Sequence, residues 1–208
     1  SLLLILCMAV TLLPTAALAA EENNNAPSAT EAEDSPALLE NENGGSASNT
    51  TVNIQISSSL QTNESSGYTV EEKTDETSKT TVKVLTITKE GSYKLTQQKE
   101  SLSGLWCVEI AADSGTVNLT LSGVNLDVSD TGDTADGAWT KGIPALAITG
   151  GCETVITLEN TNTLTSGALC AGLENGTHKL TITGDGTLNA AGGQGGAGIG
   201  GGAANGGN

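Results

Sequence analysis

The chain has 208 residues, of which 27 are Gly, two are Trp, two are Tyr and none is Phe. It has 8 basic residues, all Lys, and 24 acidic residues, which gives a net charge of −16. So acidic a surface repels polyanions, which excludes nucleic acid as a partner. The scarcity of rings predicts an aliphatic core.

The first predicted element is a secretory signal peptide, residues 1–19. Residues 2–13 are an apolar run too short to span a bilayer, and Ala17-Leu18-Ala19 has the small-x-small pattern of a cleavage site. A basic region and an initiating Met do not precede the run, so we expect the sequence to start inside the signal. The mature chain is expected to be extracellular or at the cell surface, and to have no membrane span.

Residues 20–50 are rich in Glu, Asn, Ala and Ser and show no apolar period, which predicts a disordered acidic linker. In the following segment Val52, Ile54 and Ile56 alternate with polar residues, as in a half-buried strand. Two more possible strands flank the polar run EEKTDETSK. We expect residues 51–84 to form an N-terminal β cap, because the first coil of a repeat array otherwise leaves a sheet edge exposed.

Three columns of aliphatic residues recur through residues 85–208. The columns are Ile87, Ile110, Ile148, Leu173 and Ile199; Leu95, Leu119, Ile156 and Leu180; and Leu102, Leu126, Leu164 and Leu188. Steps along the second column are 24, 37 and 24 residues, and removing the fourteen residues 129–142 reduces 37 to 23. A period of about 24 with three apolar positions predicts an all-β fold, a three-sided right-handed parallel β-helix or solenoid. A β-sandwich of short strands is the alternative.

The last coil lacks its second and third apolar positions. We therefore expect the parallel β-helix of residues 85–208 to be truncated at its C-terminus and the parent protein to continue. The same stretch contains a GxGxxG pattern, residues 196–201, with neither a preceding strand–helix unit nor a following helix. These glycines are predicted to serve turns and not a dinucleotide.

The inserted segment, residues 129–142, contains the candidate site. Asp130, Asp133 and Asp136 are spaced by three in a Gly-containing loop and could give a calcium ion oxygen ligands. The EF-hand register and its bidentate Glu are missing, so a solvated polar loop is the alternative. Trp139 either folds back over the body or is exposed as a stacking platform for a sugar ring. The predicted ligand-binding residues are thus Trp139, Asp133 and Asp136; no cofactor other than this calcium is predicted.

The cysteines of the mature chain, Cys107, Cys152 and Cys170, show no CxxC or Cys/His spacing, and we interpret each as a small buried hydrophobe. His178 is predicted to have a partly buried structural role.

Several runs resemble secreted surface proteins of Gram-positive bacteria. These runs are VLTITKEGSYKLT, VNLTLSGVNLDVS, ENTNTLTSG and AGLENGTHKLTITGDGTLNAAGGQGGAGIGGG, and GGAGIGGG is the most specific part. The family has pectate-lyase-like right-handed β-helices, often described as carbohydrate-binding domains or adhesins, and the similarity covers about residues 84–208. It implies a binding function. Family members that bind plant polysaccharide use calcium and acidic surface residues, for which the segment from Asp130 to Asp136 is the comparable feature here.

These observations favour a non-catalytic carbohydrate-binding or adhesion module, a monomeric part of a larger protein, with a polysaccharide or host glycan as partner. One alternative is a purely structural repeat spacer that projects another domain. Another is a polysaccharide lyase or glycoside hydrolase. A polysaccharide lyase is expected to use an Arg as its base, and the chain has no Arg. A glycoside hydrolase needs clustered Asp residues with a His, whereas the predicted strands are mainly Thr, Asn and Gly. We therefore do not predict an enzyme.

Overall fold

The computed structural model describes residues 50–98, 105–133 and 139–203, and all regular structure in these ranges is β-strand. The strands are β1 (Val52–Ile56), β2 (Tyr68–Thr74), β3 (Thr81–Ile87), β4 (Gly91–Gln97), β5 (Leu105–Ile110), β6 (Thr116–Ser122), β7 (Asn125–Asp127), β8 (Leu146–Ile148), β9 (Glu153–Glu159), β10 (Thr161–Thr165), β11 (Leu173–Glu174), β12 (Leu180–Gly184), β13 (Thr187–Ala191) and β14 (Ile199–Gly200). Within these ranges no helix has the length and hydrophobicity that a membrane crossing requires. The predicted signal peptide and almost all of the predicted linker lie outside the described residues.

The strands form three separate sheets of five, three and six strands. Their orders are β1-β4-β6-β9-β12, β13-β10-β7 and β14-β11-β8-β5-β3-β2. Within these sheets all pairs are parallel except β2 with β3, which makes the third sheet mixed. The predicted three-sided right-handed parallel β-helix is therefore wrong: the sheets do not close, and one edge strand runs in the opposite direction. The chain is all-β and mostly parallel.

The prediction of the architecture failed because apolar periodicity reports which face of a strand is buried, but neither the register between neighbouring strands nor whether the sheets close. Several predicted neighbours lie side by side: Ile87 with Ile110 and Ile148, Leu173 with Ile199, Leu119 with Ile156, and Leu126 with Leu164. At the remaining described steps the neighbours are displaced by two residues, and Leu102 lies outside the described residues. Leu173 lies opposite Leu146 (predicted Ile148). Leu95 lies opposite Leu121 (predicted Leu119), Ile156 opposite Ile182 (predicted Leu180) and Leu164 opposite Ala190 (predicted Leu188). A two-residue shift keeps the same face buried, so the alternation in the sequence cannot distinguish the two registers.

The core is mostly aliphatic, as predicted, but it also contains rings. The largest fully buried side chains are Ile54, Ile56, Leu85, Ile87, Leu95, Ile110, Leu119, Leu121, Leu126, Leu146, Ile156 and Leu164. Tyr68, Tyr93 and Trp106 are buried among them. The Tyr93 hydroxyl donates to the Lys89 carbonyl at 2.9 Å, which satisfies its polar group.

Asn162 is completely buried at the start of β10. Its Oδ1 accepts from the Val124 amide at 3.0 Å, and its Nδ2 donates to the carbonyls of Glu159 at 3.0 Å and Thr187 at 3.4 Å. Val124 precedes β7 and Thr187 opens β13. One side chain thus joins the beginnings of all three strands in the three-stranded sheet.

The turn between β2 and β3 reverses the chain and explains the antiparallel pair. The buried Asp75 carboxylate accepts from the Ser78 amide at 2.7 Å and the Ser78 hydroxyl at 2.6 Å. It also accepts from the Gly132 amide at 3.1 Å, which ties this turn to the inserted segment. Burial raises the pKa of Asp75, but the hydrogen bonds from Ser78 and Gly132 outweigh burial, so the net pKa lies below its ordinary value of 3.8.

Replacing Asp75 by Asn should lower the free energy of unfolding by about 1–2 kcal/mol at neutral pH, because charge-assisted hydrogen bonds are lost. A carboxylate whose folded pKa is lowered stabilises the fold above pH 3.8, and this contribution declines as pH falls toward the folded pKa. Urea unfolding of wild type and Asp75→Asn at neutral and acidic pH measures both effects. The exposed neighbour Glu76, changed to Gln, is the control; a difference for Asp75→Asn that does not shrink in acid would contradict the prediction.

Candidate functional site

The two arms of the inserted segment meet in a narrow neck. Asp133 and Thr140 pair antiparallel through backbone hydrogen bonds of 3.1 and 2.8 Å. At Gly132, whose φ is 74°, a β-carbon would lie 2.6 Å from the Thr140 carbonyl oxygen. The neck is therefore closed by main chain and requires glycine at this position.

Thr131 fixes the neck to the body of the protein. Its buried Oγ1 donates to the Val128 carbonyl at 2.8 Å and accepts from the Ile143 amide at 2.8 Å. A single hydroxyl thus joins the two arms of the insertion. Because both partners are backbone groups, the position of the neck is set before any ligand is present.

Three loops are joined side by side by backbone hydrogen bonds: the described parts of the insertion, residues 128–133 and 139–144, and residues 166–172 and 192–198. These include Ala168 N to Thr131 O at 2.9 Å, Gly142 N to Ala168 O at 2.9 Å, Leu169 N to Gln194 O at 3.0 Å and Gly193 N to Cys170 O at 3.1 Å. The buried Ser166 hydroxyl adds a bond to the Ala171 carbonyl at 2.8 Å. The loops form one continuous surface although they are far apart in sequence.

A depression of about 340 Å³ lies on this surface, and we call it the trough. Its lining is almost entirely polar or main chain. It consists of Ser129, Thr131, Gly132, Asp133, Thr165, Ser166, Ala168, Gly192, Gly193 and Gln194. Hydroxyl, amide, carboxylate and peptide groups in one shallow depression can exchange hydrogen bonds with a ligand rich in hydroxyl groups.

Trp139 lies at the same place on the surface. It is 51% exposed, although the other tryptophan of the chain is buried. A β-carbon at Gly195 would lie 3.2 Å from Cζ3 of Trp139, so part of the indole packs beside that glycine. Gly195 directly follows Gln194, which lines the trough. Trp139 directly precedes Thr140, which pairs with the trough residue Asp133. The indole therefore adjoins the trough. One edge of the indole packs and much of the ring is exposed, and the stacking of a sugar ring on it stays a prediction.

The predicted calcium ligands are described only in part. Asp130 and Asp133 are both exposed, and the Asp130 carbonyl accepts from the Thr80 hydroxyl at 3.5 Å. Asp136 lies outside the described residues. Among the residues that are described, no group of three or more acidic, His or Cys side chains is placed to hold a metal ion. A calcium site at these three aspartates stays a prediction.

A second depression, about 330 Å³, lies beside the six-stranded sheet, and we call it the outer cleft. Lys141 Nζ lies 2.6 Å from Glu174 Oε1, and the Thr149 hydroxyl donates to Glu109 Oε1 at 2.7 Å. Three of its four lining charges thus already have partners within the cleft. The fourth is Lys73.

The three cysteines of the described chain are free and buried, which confirms their interpretation as small hydrophobes. Burial raises the pKa of Cys107 to about 12 and that of Cys170 to about 11. Both thiols are therefore protonated at neutral pH and are poor nucleophiles. His178 is partly buried in a turn with Asn175, whose Nδ2 donates to its carbonyl at 3.2 Å.

The sequence directed attention to the insertion but missed the other half of the trough. Thr165, Ser166 and Gln194 line it from loops far along the chain. Ser and Thr are common throughout this sequence, so nothing in their local pattern distinguishes these positions. Comparison with protein-family models, with curated proteins and with solved structures finds no match to this chain.

Proposed function

We propose that this chain is a non-catalytic extracellular binding module that takes a polysaccharide or host glycan on the surface formed by Trp139 and the trough. The observation that carries the proposal is a half-exposed indole beside a polar depression. A sugar ring has an apolar face of C–H groups and a rim of hydroxyls. The indole offers a stacking surface for the C–H face, and the trough offers hydrogen-bonding groups for the hydroxyls.

The charge of the chain supports an uncharged glycan over an acidic one. The net charge is −16, and Asp133 contributes a carboxylate to the trough itself. A neutral ligand encounters no repulsion from this field, whereas an acidic polysaccharide does. We therefore propose neutral polysaccharides as the first ligands to test.

Replacing Trp139 by Ala should weaken glycan binding about five- to thirtyfold, because loss of an aromatic stacking surface costs on the order of 1–2 kcal/mol. Retention on an array of neutral and acidic glycans, with calcium and with a chelator, would identify the ligand. Isothermal titration of wild type and variant would then give the ratio of affinities. Trp106→Phe is the matched control, since that ring is buried in the core and its loss should leave the affinity unchanged.

The same control provides a direct optical test. In Trp106→Phe, Trp139 is the only tryptophan, so a glycan that stacks on the indole should shift its fluorescence emission during a titration. Binding without any change in emission would place the ligand elsewhere. Retention on no glycan under any condition would overturn the proposal and favour a structural spacer, and release of reducing or unsaturated ends would show an enzyme.

A further inference from the structure

The turn between β2 and β3, residues 75–80, lies against the first arm of the insertion. Its own shape is set by backbone hydrogen bonds, of 2.9 Å from the Asp75 amide to the Thr80 carbonyl and of 2.8 Å from the Lys79 amide to the Asp75 carbonyl. None of its residues lines the trough. Any effect of this turn on the trough therefore passes through the insertion.

Two side chains of the turn contact backbone groups of the insertion. Asp75 Oδ2 accepts from the Gly132 amide at 3.1 Å, and the Thr80 hydroxyl donates to the Asp130 carbonyl at 3.5 Å. The bonds from Ser78 to Asp75 serve the turn itself, whereas the bond from Gly132 serves the insertion. The contact made by Asp75 is the stronger of the two, because it is shorter and its acceptor is charged.

A short path of bonds connects Asp75 to the exposed indole. Gly132, which donates to Asp75, directly precedes Asp133. The backbone of Asp133 pairs with that of Thr140, at 3.1 and 2.8 Å, and Thr140 directly follows Trp139. Every step between the carboxylate and Trp139 is main chain, so a displacement of Gly132 displaces the indole as well.

The second arm of the insertion has a weaker attachment. Lys141 forms an ion pair of 2.6 Å with Glu174, and both side chains are partly exposed. An ion pair that is open to solvent contributes little. The Asp75 side chain is buried, and its loss would leave the amides of Ser78 and Gly132 without this acceptor. Asp75 is thus the side chain outside the insertion that does most to fix the neck.

We infer that Asp75 is a positioning residue for the proposed glycan surface. Its carboxylate holds Gly132 so that Trp139 lies beside Gly195 and the trough before any ligand arrives. Asp75 does not itself line the trough, so it acts on the ligand only through the neck and the indole. The inference rests on the proposed function, because it assigns Asp75 a role in the affinity of that site.

The fluorescence of Trp139 tests this role without a ligand. In a Trp106→Phe background Trp139 is the only tryptophan, and Asp75→Ala should shift its emission to longer wavelength and increase its quenching by acrylamide. Ser78→Ala is the matched control. It removes a hydroxyl bond to the same carboxylate but leaves the bond to Gly132, so it should disturb the turn without changing the signal of Trp139.

Affinity is then measured by isothermal titration for the glycan that wild type retains. Asp75→Ala should weaken binding about two- to tenfold, because binding must then order the neck and the indole. Ser78→Ala and Glu174→Gln should bind as wild type does. Circular dichroism verifies that each variant is folded.

Hydrogen exchange of the wild-type chain needs no variant. The Gly132 amide should exchange more slowly than in an unfolded peptide, and exchange at the unfolded rate would overturn the inference. So would identical Trp139 signals in Asp75→Ala and Ser78→Ala, or an unchanged affinity of Asp75→Ala for a glycan that wild type binds. If wild type binds no glycan, the proposed function fails, whereas fluorescence and exchange still decide whether Asp75 positions the indole.

Discussion

Replacing Asn162 by Leu is expected to lower the free energy of unfolding by roughly 2–4 kcal/mol, although the two side chains have similar size. The amide side chain satisfies the buried Val124 amide and the Glu159 carbonyl, and it also reaches the Thr187 carbonyl. Leucine offers none of these bonds, and each buried backbone group left without a partner costs about 1–3 kcal/mol.

Urea unfolding followed by circular dichroism measures this loss. Asn118→Leu is the matched control, because Asn118 is exposed on β6 and its change should stay within about 0.5 kcal/mol. Equal destabilisation by the two substitutions would show that Asn162 acts only through strand propensity, and would contradict its role as a bridge between strands.

Replacing Gly193 by Ala should cost about 3 kcal/mol, at the upper end of the usual cost of overpacking. A β-carbon at this position would lie 2.0 Å from the Gly167 carbonyl oxygen and 2.7 Å from the Ala168 amide nitrogen. Both neighbours are main-chain atoms of the adjoining loop, so no side chain can rotate away. The loops must separate, and with them the floor of the trough.

Thermal unfolding of Gly193→Ala is compared with that of Gly201→Ala. At Gly201 no atom lies within 4 Å of an added β-carbon, and its φ is outside the left-handed region, so this substitution should be nearly neutral. A Gly193→Ala variant as stable as Gly201→Ala would mean that the three loops are not held together as closely as the structure indicates.

The sequence predicted local features better than the arrangement of the strands. Alternation at Val52, Ile54 and Ile56 marked a strand whose last two apolar residues are buried, because side-chain direction has a period of two. The register between neighbouring strands depends on contacts between distant segments, and a shift of two residues leaves the alternation unchanged. The antiparallel pairing of β2 with β3 depends on the Asp75 turn, whose bonds to Ser78 were not recognised in the run EEKTDETSK.

The candidate site was predicted to a similar extent. Interruption of the 24-residue period identified residues 129–142, and the single aromatic residue within them identified Trp139. Thr165 and Gln194 could not be predicted, because their proximity to Asp133 arises from backbone bonds between loops. Asn162 was also missed, since an asparagine that bridges three strands has the same local sequence context as one facing solvent.

The trough is lined by Gly132, Gly192 and Gly193, which offer only main chain, and by side chains, of which those of Ser129 and Gln194 are exposed. The main chain thus contributes much of the shape of the trough, whereas exposed side chains contribute hydrogen-bonding groups. Randomising Ser129 and Thr165, which line the trough, would create a library of recognition surfaces, from which variants with altered ligand preference should be recovered.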